Sequence, residues 1–192
     1  MLERAGAMLA RREPMTLRSL VAGTPVSTMA VYTYFDGMAG LWGALRDEGF
    51  RRLTDRVAAV APGRDPVRHL AALGVAYVDN ALANPDLYRV MFDASFDLPD
   101  PGAASHTFDH LVAAAQRAVE ARRFSSTSDP VDVALRFWSS GHGIVSLAVT
   151  GALTELDLRR HAPAMATALF IDAGDDPARA RRSVRAAWAS AQ

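Results

Sequence analysis

The segment from Thr16 to Phe35 carries side chains suited to contact with another molecule. It divides into two short stretches, each opening on a hydroxyl residue that can cap a helix, Thr16 and Ser27. In the second stretch, threonine, methionine and tyrosine side chains recur at a helical spacing opposite Val31 and Phe35. This stripe consists of Thr28, Met29, Tyr32 and Thr33. Such side chains can contact base edges and the phosphate backbone of DNA.

The surrounding residues fit two short helices joined by a tight turn. Gly23, Thr24 and Pro25 supply the turn, and apolar residues are available to pack the two helices together: Leu17, Leu20, Val26, Val31 and Phe35. This is the plan of a helix-turn-helix, whose second helix can enter the major groove. Further candidate DNA contacts are Thr16, Arg18, Ser27, Tyr34 and Met38.

Each candidate also has a structural explanation. Thr16 is a helix cap before it is a phosphate ligand, and Arg18 is equally well explained as a solvated charge. Tyr32 and Tyr34 could be core aromatics, although two tyrosines flanking Thr33 favour phosphate contact for at least one of them.

Other kinds of chemistry have little support. There is no cysteine, which excludes disulfides and thiolate metal sites. His106 and His110 have a spacing that can hold a metal on one helix face, but no carboxylate pattern accompanies them. No nucleophile–base pair, carboxylate dyad or phosphate loop is legible. We therefore expect neither an enzyme nor a cofactor or metal.

Composition favours a folded, helical protein. Half of the residues are hydrophobic and 22% are charged, and all 21 basic residues are arginine. The net charge of zero excludes a uniformly basic surface, whereas residues 1–35 are mildly positive. No signal segment precedes the first helix, so we expect a cytoplasmic protein. The uncharged stretch 137–154 contains too many polar residues for a membrane span, and we expect no membrane contact.

The hydrophobic pattern predicts an all-α fold. Helices are expected at about 2–12, 17–22, 28–33, 37–60, 67–81, 85–92, 108–119, 131–150, 162–173 and 177–189, with loops at 97–102 and 125–130. Asp36 is expected to cap the long fourth helix. The Pro- and Gly-rich stretch 61–66 predicts a boundary between a helix-turn-helix domain, 1–60, and a helical ligand-binding and dimerisation domain, 61–192.

The N-terminal segment resembles the TetR family of regulators. Val26-Ser27 followed by Val31-Tyr32-Thr33-Tyr34-Phe35 matches the family's V-S and apolar-Y-x-[HY]-F pattern, and the resemblance extends to Leu41. Two positions depart from it. Pro25 replaces the usual glycine, and Met38 replaces a lysine that binds phosphate together with the helix N-terminus.

The second half also resembles one group of ligand domains in that family. Asn84 to Phe92 follows an N-P-x-L-Y-x-x-M-F pattern, and Trp138 to Gly143 follows W-x-x-x-H-G. The resemblance implies an effector pocket enclosed by the earlier helices of this domain; the candidate lining residues are Tyr77, Met91, Phe92, Phe108, Trp138 and His142. Aromatic and methionine residues at helical spacing are also common in plain cores, and His142 is equally a candidate for a hydrogen-bonded core histidine.

The family implies a function and leaves one alternative. It implies a homodimer, formed by the last two long helices, that binds a palindromic operator and acts as a repressor. A small apolar or aromatic effector would release the DNA through the long fourth helix. Because of Met38 and Pro25, the alternative is a ligand- or partner-binding protein of the same fold that has lost specific DNA binding.

Overall fold

The computed structural model describes residues 1–93 and 101–189, which form ten α-helices and no strand. The helices are α1 (Leu2–Ala10), α2 (Leu17–Val21), α3 (Thr28–Phe35), α4 (Gly37–Ala58), α5 (Pro66–Ala83), α6 (Pro85–Met91), α7 (Pro101–Glu120), α8 (Pro130–Val149), α9 (Glu155–Asp172) and α10 (Pro177–Ala189). The predicted all-α fold is confirmed. None of these helices, within the described residues, is both long and apolar enough to cross a membrane.

Helices α1 to α3 and the start of α4 share a small core. It consists of Ala5, Met8, Leu20, Val31, Leu41, Leu45 and, from α6, Val90. Arg4 ties α1 to the end of α2, because its Nη2 donates to the carbonyl oxygen of Ala22 at 2.7 Å. Since the last carbonyls of a helix have no partner inside it, this bond satisfies a group that would otherwise depend on water.

Helix α4 belongs to two cores along its 22 residues. Its first half buries Leu41 and Leu45 in the small core. Its second half buries Phe50, Leu53 and Val57 in the large core formed by α5 to α10. A rigid helix shared in this way can carry a displacement from one core to the other. The position of a domain boundary at residue 61 stays a prediction.

A buried ionic network holds the large core together at one end. Arg123, which follows α7, donates Nε and Nη2 to the two carboxylate oxygens of Asp175 at 2.7 Å each. Its Nη1 donates to Asp65, the N-cap of α5, at 2.6 Å. Ser183 of α10 donates to the other oxygen of Asp65 at 2.6 Å. The network joins three segments that are distant in sequence.

Two predictions about helix starts are wrong. Helix α4 begins at Gly37 as predicted, but the side chain of Asp36 does not cap it; Asp36 lies in the left-handed region at φ 54°, because it forms the tight link between α3 and α4. Helix α9 begins at Glu155 rather than near residue 162, since Thr154 and Asp157 form a capping box ahead of Pro163, which the helix accommodates.

The predicted loop at 97–102 is partly wrong as well. Helix α7 already includes residues 101 and 102, and the rest of that loop lies outside the described residues. Helix α7 thus begins at Pro101 rather than near residue 108. The other predicted helices are confirmed within a few residues, and α10 matches its predicted bounds.

Candidate functional site

Helix α3 presents the predicted stripe and the neighbouring Tyr34 to solvent. Met29 is 71% exposed, Tyr32 54% and Tyr34 80%, whereas Val31 on the opposite side is 1% exposed. Thr28 is half-buried and Thr33 is exposed. Because large apolar and aromatic side chains are normally buried, three of them standing in water on one short helix indicate a contact surface.

Hydroxyl groups fix where α2 and α3 begin. Ser27 accepts a hydrogen bond from the amide of Ala30 at 3.1 Å, which caps α3. Thr16 caps α2 in the same way, accepting from the amide of Ser19 at 3.1 Å. Both Thr16 and Ser27 remain exposed, as does Arg18 on α2. These caps orient the two helices, and the same residues are accessible to an external partner.

The N-terminus of α4 lies beside the exposed stripe of α3. A Cβ placed on Gly37 would lie 3.0 Å from Cε1 of Tyr32. Met38 is half-buried against the small core, so its side chain faces the protein in part. The unpaired amides at the start of a long helix favour an anion. The stripe and this N-terminus therefore form one continuous candidate surface for a nucleic-acid backbone.

A cavity of about 510 Å³ lies among α4, α5, α7 and α8. Its walls are mostly apolar and aromatic; they include Phe50, Leu53, Val57, Leu73, Tyr77, Phe92, Phe108, Phe137 and Trp138. The rings of Phe108 and Trp138 meet edge to face, with centroids 6.2 Å apart. A cavity of this size and lining is typical of a small-molecule site.

A hydrogen-bond network stands at one wall of the cavity. The hydroxyl oxygens of Tyr77 and Tyr88 lie 3.0 Å apart, and both approach Nδ1 of His142, at 3.0 Å and 2.7 Å respectively. Ser146 lies 3.4 Å from Nε2 of the same ring. Tyr88 and His142 lie behind the lining formed by Phe92 and Trp138, whose ring centroids are 4.4 Å and 5.9 Å from that of His142.

Burial keeps this network neutral. It lowers the pKa of His142 below its usual value, so the ring is uncharged at neutral pH. Burial also raises the pKa of Tyr77, as does the neighbouring Tyr88, whereas a hydrogen bond from Trp138 lowers it. The pKa of Tyr88 is likewise raised by burial, against hydrogen bonds from Ser146 and Tyr77. Two neutral phenols thus converge on one nitrogen, Nδ1, of a neutral ring.

The structure brings together four of the six predicted lining residues. Tyr77, Phe92, Phe108 and Trp138 line the cavity. Met91 does not, because its side chain packs against α4, where a Cβ on Gly49 would lie 2.4 Å from its Cγ. His142 lies behind the wall and is hydrogen-bonded to Tyr77, which lines the cavity.

The contribution of α4 to the cavity was not predicted from the sequence. Phe50, Leu53 and Val57 repeat at three- and four-residue intervals, which marks an apolar face, but this pattern does not say which helices that face meets. Phe137 was also missed; it lies opposite Gly74, where a Cβ would come within 2.6 Å of the ring.

Helices α8 and α9 expose an apolar surface of their own. Val131, Leu135 and Leu147 on α8 are each about half exposed, and Leu156 at the start of α9 is 77% exposed. Ser139 and Gly143 continue the same i+4 line on α8 and are small and exposed. Small residues in an apolar stripe permit close helix approach, so this face suits packing against another helix pair.

Comparisons with known proteins agree with this architecture. An all-helical body behind an N-terminal helix-turn-helix defines a class of helix-turn-helix regulators. The family model described as Tetracyclin repressor-like, C-terminal domain, matches residues 70–169, just over half of the chain. The chain therefore belongs to the TetR family of transcriptional regulators. No curated protein sequence matches it.

Solved structures share the fold along nearly the whole chain. A protein of unknown function from Rhodococcus sp. RHA1 is 26% identical, with a TM-score of 0.75 over 91% of this chain and 93% of that one. RolR in complex with resorcinol is 16% identical, with a TM-score of 0.67 over 95% and 90%. A TetR family regulator from Marinobacter aquaeolei VT8 is 13% identical, with a TM-score of 0.57 over 98% and 92%.

Proposed function

We propose that this chain is a homodimeric repressor that binds a palindromic operator and releases it when a small molecule fills the cavity. The observation that carries the proposal is the exposure of Met29 and Tyr32 of the α3 stripe, and of the neighbouring Tyr34, on a packed helix-turn-helix. In this scheme residues 1–60 bind DNA in the cytoplasm, and residues 61–192 bind the effector and the second subunit.

Contacts to DNA divide into two kinds. Tyr32, Tyr34 and the N-terminus of α4 contact the phosphate backbone, as do Thr16, Arg18, Ser27 and Met38 around them. Thr28, Met29 and Thr33 face the base edges, where threonine and methionine give weaker discrimination than a bidentate arginine. A two-fold dimer places two copies of α3 in successive major grooves, which predicts half-sites about one helical turn apart.

Helices α4 and α6 connect the cavity to α3. Val90 of α6 packs in the small core beside Leu45 of α4. Two residues earlier, Tyr88 belongs to the hydrogen-bond network at the cavity wall. Arg46 of α4 joins the two helices, donating Nε to the carbonyl oxygen of Met91 at 2.8 Å. A ligand that displaces α4 or α6 therefore changes the spacing of the two recognition helices in the dimer.

The second subunit covers the apolar face of α8 and α9. Val131, Leu135 and Leu147 would pack against their counterparts across a two-fold axis, with Ser139 and Gly143 allowing the close approach. Leu135→Glu should therefore convert a dimer to monomers in size-exclusion chromatography with light scattering. Ala113→Glu adds the same charge at an exposed position of α7 and serves as the control for a merely altered surface.

RolR, which shares this fold, has been solved with resorcinol bound. That complex supports the idea that the cavity holds an aromatic effector. The alternative, a ligand-binding protein without specific DNA binding, is favoured by Met38 and Pro25, which stand where the family has lysine and glycine.

The deciding experiment selects DNA from a random pool with the purified chain and measures the affinity of the enriched site by fluorescence anisotropy. We expect a palindrome whose affinity falls with salt. Tyr32→Ala should weaken binding to all sequences, and Met29→Ala should alter preference at one position in each half-site. Absence of any enriched site at low salt would reject the repressor and favour the alternative.

A further inference from the structure

The polar network at the cavity wall has one member that a ligand can reach. Of its four side chains, Tyr77 lines the cavity, whereas Tyr88, His142 and Ser146 do not. Nδ1 of a neutral imidazole carries either one lone pair or one proton, so in either tautomer it forms one strong hydrogen bond with these hydroxyl groups. Tyr88 is the closer partner, at 2.7 Å against 3.0 Å for Tyr77.

This arrangement leaves the hydroxyl proton of Tyr77 adaptable. It can point to the oxygen of Tyr88, 3.0 Å away, or rotate toward an acceptor in the cavity. Tyr77 is therefore best placed to donate a hydrogen bond to a ligand oxygen, and it gains a partner without leaving another buried group unpaired.

The volume of the cavity sets a lower and an upper limit to the size of the ligand. Its volume of about 510 Å³ is roughly three times that of a ~150 Å³ apolar cavity that binds one benzene. One ring would leave most of the walls without contact, and the loss of those contacts weakens binding. Two or three rings fill the space, and the aromatic walls at Phe50, Phe108 and Trp138 suit flat ring systems.

The charges around the cavity do not favour an ionic ligand. Arg46 and Asp109 both line it and carry opposite signs. Nε of Arg46 already donates to the carbonyl oxygen of Met91 at 2.8 Å. The remaining walls are mostly apolar, and moving a carboxylate from water to such a surface is costly without a dedicated partner.

We propose that the effector is a neutral aromatic molecule of two or three rings, with a hydroxyl or carbonyl oxygen that accepts a hydrogen bond from Tyr77. This inference rests on the proposed function, because it takes the cavity to be the effector site. It makes Tyr77 the residue that distinguishes an oxygenated ligand from a plain hydrocarbon of the same shape.

Equilibrium dialysis of the full chain against four probes tests the proposal. The probes are naphthalene, 2-naphthol, 2-naphthoate and phenol, at neutral pH. The wild type should bind 2-naphthol about fivefold more tightly than naphthalene, the ratio expected from one neutral hydrogen bond. Phenol should bind at least tenfold more weakly than 2-naphthol because it fills one ring's space, and 2-naphthoate should also bind more weakly.

Two variants assign the effect to one hydroxyl group. Tyr77→Phe should abolish the preference for 2-naphthol while keeping the affinity for naphthalene, which shows that the cavity is intact. Ser146→Ala removes a hydroxyl of the same network that neither lines the cavity nor bonds Tyr77, and it leaves Tyr88 on Nδ1 of His142, so it should retain the preference. Loss of the preference in Ser146→Ala but not in Tyr77→Phe would overturn the assignment.

Other outcomes separate this inference from the proposed function. Equal binding of naphthalene and 2-naphthol, or tightest binding of 2-naphthoate, overturns the inference. So does the failure of every probe to bind, even where the chain still binds its operator. If the chain binds the probes in the expected order but selects no operator, the inference is supported and the repressor is rejected. The two results are independent because the dialysis contains no DNA.

Discussion

Gly40 of α4 lies directly against the backbone of Phe35, the last residue of α3. A Cβ on Gly40 would come within 1.6 Å of the carbonyl oxygen of Phe35, and no side-chain rotation can relieve a clash with backbone. The contact follows from the tight link between the helices, where Asp36 and Gly37 both have positive φ, 54° and 86°. Gly40 thus fixes the angle between the proposed recognition helix and the helix that lines the cavity.

Gly40→Ala should separate α3 from α4. We expect a loss of about 3 kcal/mol in the free energy of unfolding, the upper end of the cost of over-packing, and weaker DNA binding. Urea denaturation and anisotropy measure the two effects. Gly6→Ala is the matched control, since a Cβ there meets nothing within 4 Å and alanine favours a helix interior. Equal stability of the two variants would contradict the contact.

Met38→Lys should strengthen binding to the proposed operator. A lysine stem can keep the apolar packing of Met38 while its ammonium reaches a phosphate beside the N-terminus of α4. Each added phosphate contact steepens the slope of log K against log salt by about 0.9. The variant adds one such contact in each subunit. Anisotropy titrations across a salt series measure the slope. Met38→Gln adds no charge and should leave it unchanged; a Lys variant with an unaltered slope would place residue 38 away from DNA.

Arg123→Ala should destabilise the large core strongly. Asp175, whose side chain is 1% exposed, would lose its bidentate partner. Breaking a buried ion pair by removing one partner costs about 3–5 kcal/mol. Urea denaturation at fixed protein concentration measures this loss. Arg52→Ala breaks an exposed pair with Glu48 and should cost less than about 1 kcal/mol. Similar losses in both variants would mean that the buried network contributes no more than a surface pair.

His69 should make the fold sensitive to mild acid. The ring lies between the carbonyl oxygen of Val60, 3.0 Å from Nε2, and the guanidinium of Arg117 beside Nδ1. Burial lowers its pKa, the hydrogen bond to Val60 opposes this, and the charges of Arg117 and His110 on α7 lower it further. Because the folded state disfavours the proton, this contribution to stability is complete above the unfolded pKa of about 6.5 and declines as pH falls below it.

Thermal unfolding between pH 7.5 and pH 5.5 measures that decline. The wild type should lose stability over this interval, and His69→Gln should reduce the loss because glutamine does not titrate. His142, whose pKa is also lowered by burial, contributes in the same direction and accounts for part of the remainder. His106→Gln alters an exposed residue and serves as the control. An unchanged pH profile in His69→Gln would show that the ring is free to charge in the folded state.

The sequence by itself determined what depends on near neighbours. Thr16 and Ser27 cap α2 and α3 because a hydroxyl side chain bonds an amide three residues later, and those positions are visible in the chain. The helical spacing of apolar and polar residues likewise predicted that Val31 is buried and Tyr32 exposed. It predicted ten helices for the same reason, although α9 begins at Glu155 and was expected near residue 162.

Tertiary structure decided which helix faces meet. Leu53 of α4 lines the cavity and Met91 of α6 does not, yet both lie on apolar helix faces. The network of Tyr77, Tyr88 and His142 joins residues up to 65 positions apart, which only the packing of α5, α6 and α8 brings within hydrogen-bond distance. Helical periodicity specifies that a side chain is buried, whereas its partners depend on how the helices cross, and that angle is set by the packing of all of them together.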